Sequence, residues 1–156
     1  MTFQLNEIEE LHNQPERIGS ALVELVESLR AGDEEIASGV ADVCGTLDVV
    51  NPVDSVNLIS FCNEEHPVVA LWACRLLVLS LGQSSEHDAV AEQAFVKALV
   101  GHRDIGVQQQ AAIALGKLER KCRETVDALR VAAESEDPRL SRLAGRALEH
   151  CQDDAA

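Results

Sequence analysis

Four segments of this chain come into register when each is read from a turn-forming residue into an apolar stretch. They begin at Asp33, His66, Asp104 and Asp137, with separations of 33, 38 and 33 residues. Three places in from the start stand Ile36, Val69, Val107 and Leu140. Four residues further on come Val40, Ala73, Ala111 and Ala144, and another four on come Cys44, Leu77, Leu115 and Leu148. A spacing of i, i+4 and i+8 is one face of an α-helix. The leading aspartates are N-caps, and Pro67 and Pro138 fall at the first helical position, where a missing N–H costs nothing. A single amphipathic helix cannot bury its own apolar stripe. In-phase copies at a period of this size therefore have to stack on one another.

A second helical segment precedes each copy: roughly Glu16–Arg30, Pro52–Cys62, Glu86–Val100 and Cys122–Glu134. In the first of these, Ile18, Leu22, Leu25, Val26 and Leu29 form the apolar face. Short polar joints such as Ala31-Gly32-Asp33 and Gly101-His102-Arg103 link the two helices of a unit. Only 3% of the residues are aromatic against 46% hydrophobic, so small aliphatic side chains must fill the core. That composition suits helices meeting through Ala and Leu rather than a sandwich or barrel. The expectation is an all-α chain with units at about 16–50, 52–82, 86–121 and 122–150. Residues 1–15 are expected to supply a capping helix carrying Phe3, Leu5, Ile8 and Leu11, and 151–156 a frayed tail. The first copy departs most from the pattern, because Gly39 and Gly45 replace good helix formers.

Asp137-Pro138-Arg139-Leu140 and Ala111-Ala112-Ile113-Ala114-Leu115-Gly116-Lys117-Leu118 resemble the second-helix pattern of HEAT repeats, especially the short form also found in phycobilisome lyases. The resemblance spans about residues 16–150. It implies a right-handed α-solenoid of about four HEAT-like helix pairs. It does not fix a function, since such arrays serve many unrelated tasks.

The formal net charge is −14. A surface so acidic repels phosphate backbones, which argues against nucleic acid as a partner. The charge is uneven: residues 1–60 hold 12 acids and 2 bases, whereas Lys117–Arg146 holds 6 acids and 8 bases. The opening stretch, with Glu7, Glu9 and Glu10, does not read as a secretion signal, and no run is long and apolar enough for a membrane span. Five scattered cysteines, an odd number, suggest reduced thiols and a cytoplasmic setting.

The outward face of the second helices is the candidate binding surface. Counting from Val69 and its equivalents, core residues are expected at offsets 4, 7, 8 and 11, and outward ones at 2, 5, 6 and 9. In the second unit the outward set is Leu71, Cys74, Arg75 and Val78; in the third Gln109, Ala112, Ile113 and Gly116; in the fourth Arg142, Gly145, Arg146 and Glu149. Val68–Leu81 contains Arg75 as its sole charge, so it lacks the polar stripe of a surface helix. Leu71, Trp72, Arg75 and Val78, extended by Ile113, Arg142 and Arg146, are thus expected to meet a partner: a peptide, a helix, a protein surface or a second copy of the chain. Arg139, Arg142 and Arg146 share a helix face suited to carboxylates or phosphate groups.

Chemistry is harder to find. The deoxyhypusine hydroxylases, which share the implied architecture, use His-Glu pairs to hold iron, but here no His is followed by Glu. Cys62 and His66 stand four apart without a second pair, short of the four convergent ligands of a zinc site. There is no Gly-x-Ser-x-Gly and no phosphate-cradling glycine loop. The reading is a non-enzymatic adaptor with no cofactor and no metal. The alternative, implied only by the lyase resemblance, is a chromophore-lyase-like or other ligand-handling protein drawing on Asp42, His66 and Arg75.

Overall fold

The computed structural model describes the backbone of residues 3–154 and the side chains of residues 3–150. The thiol of Cys151 and the end of the expected tail lie outside the described residues. The helices are α1 (Leu5–His12), α2 (Ile18–Glu27), α3 (Glu34–Cys44), α4 (Pro52–Ser55), α5 (Pro67–Val78), α6 (Ser85–Gly101), α7 (Ile105–Gly116), α8 (Arg123–Ala133) and α9 (Pro138–Asp154). Tight 3-10 turns flank α2 at Pro15–Arg17 and Ser28–Ala31. No strand occurs among the described residues. The chain is an all-α solenoid: α5, α7 and α9 pack side by side, and α6 lies against α8 in a second layer.

The starts of the second helices are those the sequence spells out. Asp33 accepts the backbone N–H groups of Glu35 and Ile36, Asp104 that of Val107, and Asp137 that of Leu140 at 2.7 Å. These bonds satisfy donors that have no partner inside the first helical turn. At α5 the capping acceptor is His66 Nδ1, 3.5 Å from the Val69 nitrogen.

One expected helix does not form. Pro52–Cys62 holds a single α-turn, α4, followed by 3-10 turns at Val56–Leu58 and Ser60–Asn63. Its backbone bonds close over three residues, from Ile59 N to Val56 O and from Cys62 N to Ile59 O. The Ser55 hydroxyl donates to Pro52 O and that of Ser60 to Asn57 O. Serine and asparagine side chains that bond locally, interleaved with valine and isoleucine, favour such turns over a regular helix.

Two apolar clusters fill the interior. One gathers Ile8, Leu11, Leu22, Leu25, Val26, Val40 and Leu58; the other gathers Phe95, Ala98, Val107, Ala111, Leu115, Leu129 and Ala144. Helix α5 belongs to both. Val69 and Leu76 enter the first cluster, while Ala70, Ala73, Cys74 and Leu77 enter the second. A helix wedged between two cores has little wet surface left, which is the physical reason Val68–Leu81 carries so little charge.

At the N-terminal end α1 lies across α3, with Ile8 only 1% exposed. Gly39 is the crossing point: a Cβ placed there would stand 3.1 Å from Ile8 Cγ2 and 3.6 Å from Leu5 Cδ1. The poor helix former in the first copy therefore makes room for α1. A further tie runs from the Phe3 amide to the buried Ser28 hydroxyl at 2.8 Å. At the other end α9 continues four residues beyond the expected limit of 150, to Asp154.

Candidate interaction surface

The structure narrows the expected outward stripe. Arg75, Arg142 and Arg146 are exposed, and Leu71, Trp72, Val78 and Ile113 are half-buried. Cys74 and Ala112, expected to face outward, are each 0% exposed. The correction has a geometric cause. Ala112 lies on α7, which has α5 and α9 on its flanks, whereas Cys74 on α5 meets Cys62 of the 3-10 turn at Ser60–Asn63, so offset 5 looks into a neighbour rather than out. Leu71 and Val78 rest against the second core cluster and Trp72 against the first. Covering by the chain's own neighbours accounts for the missing polar stripe on α5.

The Arg75 guanidinium lies over the Trp72 ring, 4.7 Å from its centroid. A cation held over an indole face is attracted by the ring's electron density, and the contact fixes both side chains. Among the described residues no carboxylate lies within 4.0 Å of Arg75, Arg139, Arg142 or Arg146. The nearby Glu136, Asp137 and Glu149 thus make no close ion pair with the α9 arginines. Asp137 is engaged otherwise. Its carboxyl is held below the usual range chiefly by the Leu140 N–H and next by the Gln109 amide, at 2.9 Å.

The firm ion pair of the structure is elsewhere. Arg30 grips Glu64 with both terminal nitrogens and stacks on Phe61, 5.6 Å from the ring centroid. The Arg30 hydrogen bond, reinforced by its charge, holds the Glu64 carboxyl below the ordinary range.

Three polar clusters escaped sequence reasoning. His87 Nε2 sits 2.7 Å from Ser80 Oγ and 3.4 Å from Ser55 Oγ, the spacing of a nucleophile and its base. The proton directions are wrong for that chemistry. Ser80 donates to Leu77 O and Ser55 to Pro52 O, so His87 supplies the proton through Nε2–H. Both serines are also fully buried. A serine nucleophile must instead give its proton to the base. The trio is a clamp joining α4, the end of α5 and the start of α6.

Glu92 on α6 is the second. Only 9% exposed, it accepts the Cys122 N–H at 2.9 Å and the Thr125 hydroxyl at 2.5 Å. It therefore caps α8 from another helix, where Cys122 makes no side-chain cap of its own. The Cys122 thiol, 3.2 Å from Thr125 Oγ1, completes the chain of donors. A signal for this was present: Glu92 shares a helical row with Phe95 and Leu99, both buried.

The third is a pair of thiols. Cys62 and Cys74 are both buried, the Cys62 thiol donates to Leu58 O at 3.6 Å, and the neighbouring Cys74 thiol followed by burial holds the Cys62 thiol far above its ordinary range. Burial alone pushes Cys44 up to about 12. Among the described residues no group of three or more His, Cys, Asp or Glu is arranged to hold a metal ion. Every buried side-chain nitrogen or oxygen among them has a hydrogen-bond partner.

The broken helix at 52–63 leaves space beside the longer α6. Two adjoining open grooves of about 560 and 570 Å³ share Asn63 and Lys97. Ile59, Val90, Glu92 and Cys122 line one, His102 and Arg103 the other. Neither is lined by Asp42, His66 or Arg75, the residues of the ligand-handling alternative. Among the described residues no helix is long and apolar enough to cross a membrane.

The family model described as HEAT repeats matches residues 92–156. No curated protein and no solved structure matches the chain.

Proposed function

We propose that this chain, a HEAT-repeat protein by the match over its C-terminal part, is a non-enzymatic adaptor that holds a protein partner on the outward face of its second helices. HEAT repeats commonly serve as protein-interaction scaffolds. The observation that carries the reading is Arg75 over Trp72, at 4.7 Å, exposed and without a close carboxylate among the described residues. An oriented Trp–Arg pair at the surface has the character of an interface hot spot, because little side-chain freedom remains to be lost on docking. Leu71 and Val78 supply apolar contact beside it. Ile113 lies on α7, which packs on α5, and Arg142 and Arg146 lie on α9, which packs on α7, so the residues follow one another along adjacent helices. Its charge favours a partner segment carrying carboxylates.

The test begins with affinity purification from the native host and proceeds to titration of the recovered partner. Arg75→Ala and Ile113→Asp are the variants of choice, because neither site is fully buried. Each should weaken binding about tenfold or more, which corresponds to about 1.4 kcal/mol, while the helical circular dichroism stays unchanged. Full affinity in both folded variants refutes the proposal.

A further inference from the structure

At two junctions between units, α5 to α7 and α7 to α9, the same register of one second helix meets the opening turn of the next. Two places after Val107, Gln109 donates its side-chain amide to the Asp137 carboxylate at 2.9 Å, and Asp137 is the N-cap of α9. Its counterpart on α5, Leu71, meets the first turn of α7: a Cβ placed on Gly106 would stand 3.9 Å from Leu71 Cδ1. At this register a second helix touches the opening turn of the next. On α9 the same register holds Arg142. It is exposed, has Arg139 and Arg146 one turn to either side, and has no carboxylate within 4.0 Å among the described residues. A guanidinium where Gln109 meets an N-cap aspartate suits a carboxylate at the start of another helix.

The chain itself carries matching carboxylates at its opposite end. α1 packs on α2 and α3, remote from α9. On that end Glu9 and Glu10 of α1, and Asp33, Glu34 and Glu35 at the opening turn of α3, are all exposed. Residues 1–60 hold 12 acids against 2 bases, whereas Lys117–Arg146 holds 8 bases against 6 acids. The N-terminal end is thus strongly acidic, whereas the exposed row on α9 presents three arginines, with Glu149, Asp153 and Asp154 following it in the chain.

We infer that the Arg139–Arg142–Arg146 edge of α9 receives the acidic N-terminal end of a second copy of this chain, in a head-to-tail contact. Such a contact uses two different surfaces, so it repeats into a ring or an open chain rather than closing as a two-fold dimer. It is weak and sensitive to salt, since exposed charges are screened beyond about 8 Å at physiological ionic strength. The inference shares Arg142 and Arg146 with the adaptor reading but does not need Arg75.

Sedimentation velocity over a concentration series tests it. The wild-type chain should form species larger than a monomer at low salt, and these should dissolve at ~1 M salt, where the screening length falls to about 3 Å. The Arg142→Glu/Arg146→Glu variant should stay monomeric, as should Glu9→Lys/Glu10→Lys/Glu34→Lys. Mixed, the two variants should associate, because each then offers the other an end of opposite charge. Arg75→Glu should associate as wild type does, which separates this contact from the adaptor face. Association that survives charge reversal, that is not restored in the mixture, or that is lost in Arg75→Glu overturns the inference. A strictly monomeric wild type overturns it as well. If that monomer binds polyglutamate through Arg142 and Arg146, the edge serves a foreign acidic segment instead.

Discussion

Replacing Thr125 with valine is the sharpest probe of how the C-terminal part is held together. The side chain is fully buried, and its hydroxyl donates to the Glu92 carboxylate at 2.5 Å. Valine keeps the shape and removes the donor. A hydrogen bond to a charged group contributes about 1.5–3 kcal/mol. Part of that loss is offset by the added methyl, since a buried methylene gains about 0.8 kcal/mol. Glu92 also keeps the Cys122 N–H at 2.9 Å, so it is not left bare. The net destabilisation should be about 1–2 kcal/mol, which for a chain of this size lowers the melting temperature by roughly 2–8 °C. Urea denaturation of the wild type, Thr125→Val, Glu92→Gln and the double variant measures the coupling directly. Residues joined in one polar network show interaction energies of about 0.5–3 kcal/mol. If Thr125→Val costs under about 0.5 kcal/mol, or if the two changes simply add, Glu92 is not the cap of α8 and the reasoning fails.

Further outcomes follow from other contacts. Gly39→Val should lower the protection of α1 amides in hydrogen exchange by ten-fold or more, about 1.4 kcal/mol, because a branched side chain cannot fit where a bare Cβ already lies 3.1 Å from Ile8; unchanged protection counts against the crossing. In native protein with Cys151 replaced by serine, Cys122 should react rapidly with a thiol reagent at pH 8. Cys44, Cys62 and Cys74 should react only on unfolding, since all three are buried and burial pushes Cys44 up to about 12. Fast labelling of more than one thiol refutes this. The Glu64 carboxyl is depressed in the folded chain, so its pairing with Arg30 stabilises the fold above the unfolded carboxylate pKa and is lost as the pH falls through the folded value. The stability gap between wild type and Arg30→Met should therefore shrink on acidification toward pH ~4 and below; a gap that widens there reverses the assignment.

Much of the architecture is legible in the chain because capping and helical periodicity are local physics. Asp33, Asp104 and Asp137 announce their helices, and the apolar register around Val69, Val107 and Leu140 places those residues in the core. The Pro52–Cys62 stretch reads as a helix but folds as turns, because an apolar pattern alone does not reveal that Ser55 and Ser60 bond back to the chain and tighten it. What the sequence could not decide is which neighbour covers each face. Cys74 and Ala112 read as outward on a single helix, yet neighbouring elements bury them in the second core cluster. Val68–Leu81 reads as a sticky surface, yet it is wedged between two cores. The same holds for Gly39 beneath Ile8 and for Glu92 capping a helix 30 residues away. Local rules set where helices begin and which side is apolar, whereas burial of a side chain depends on elements distant in sequence, and only their packing supplies that.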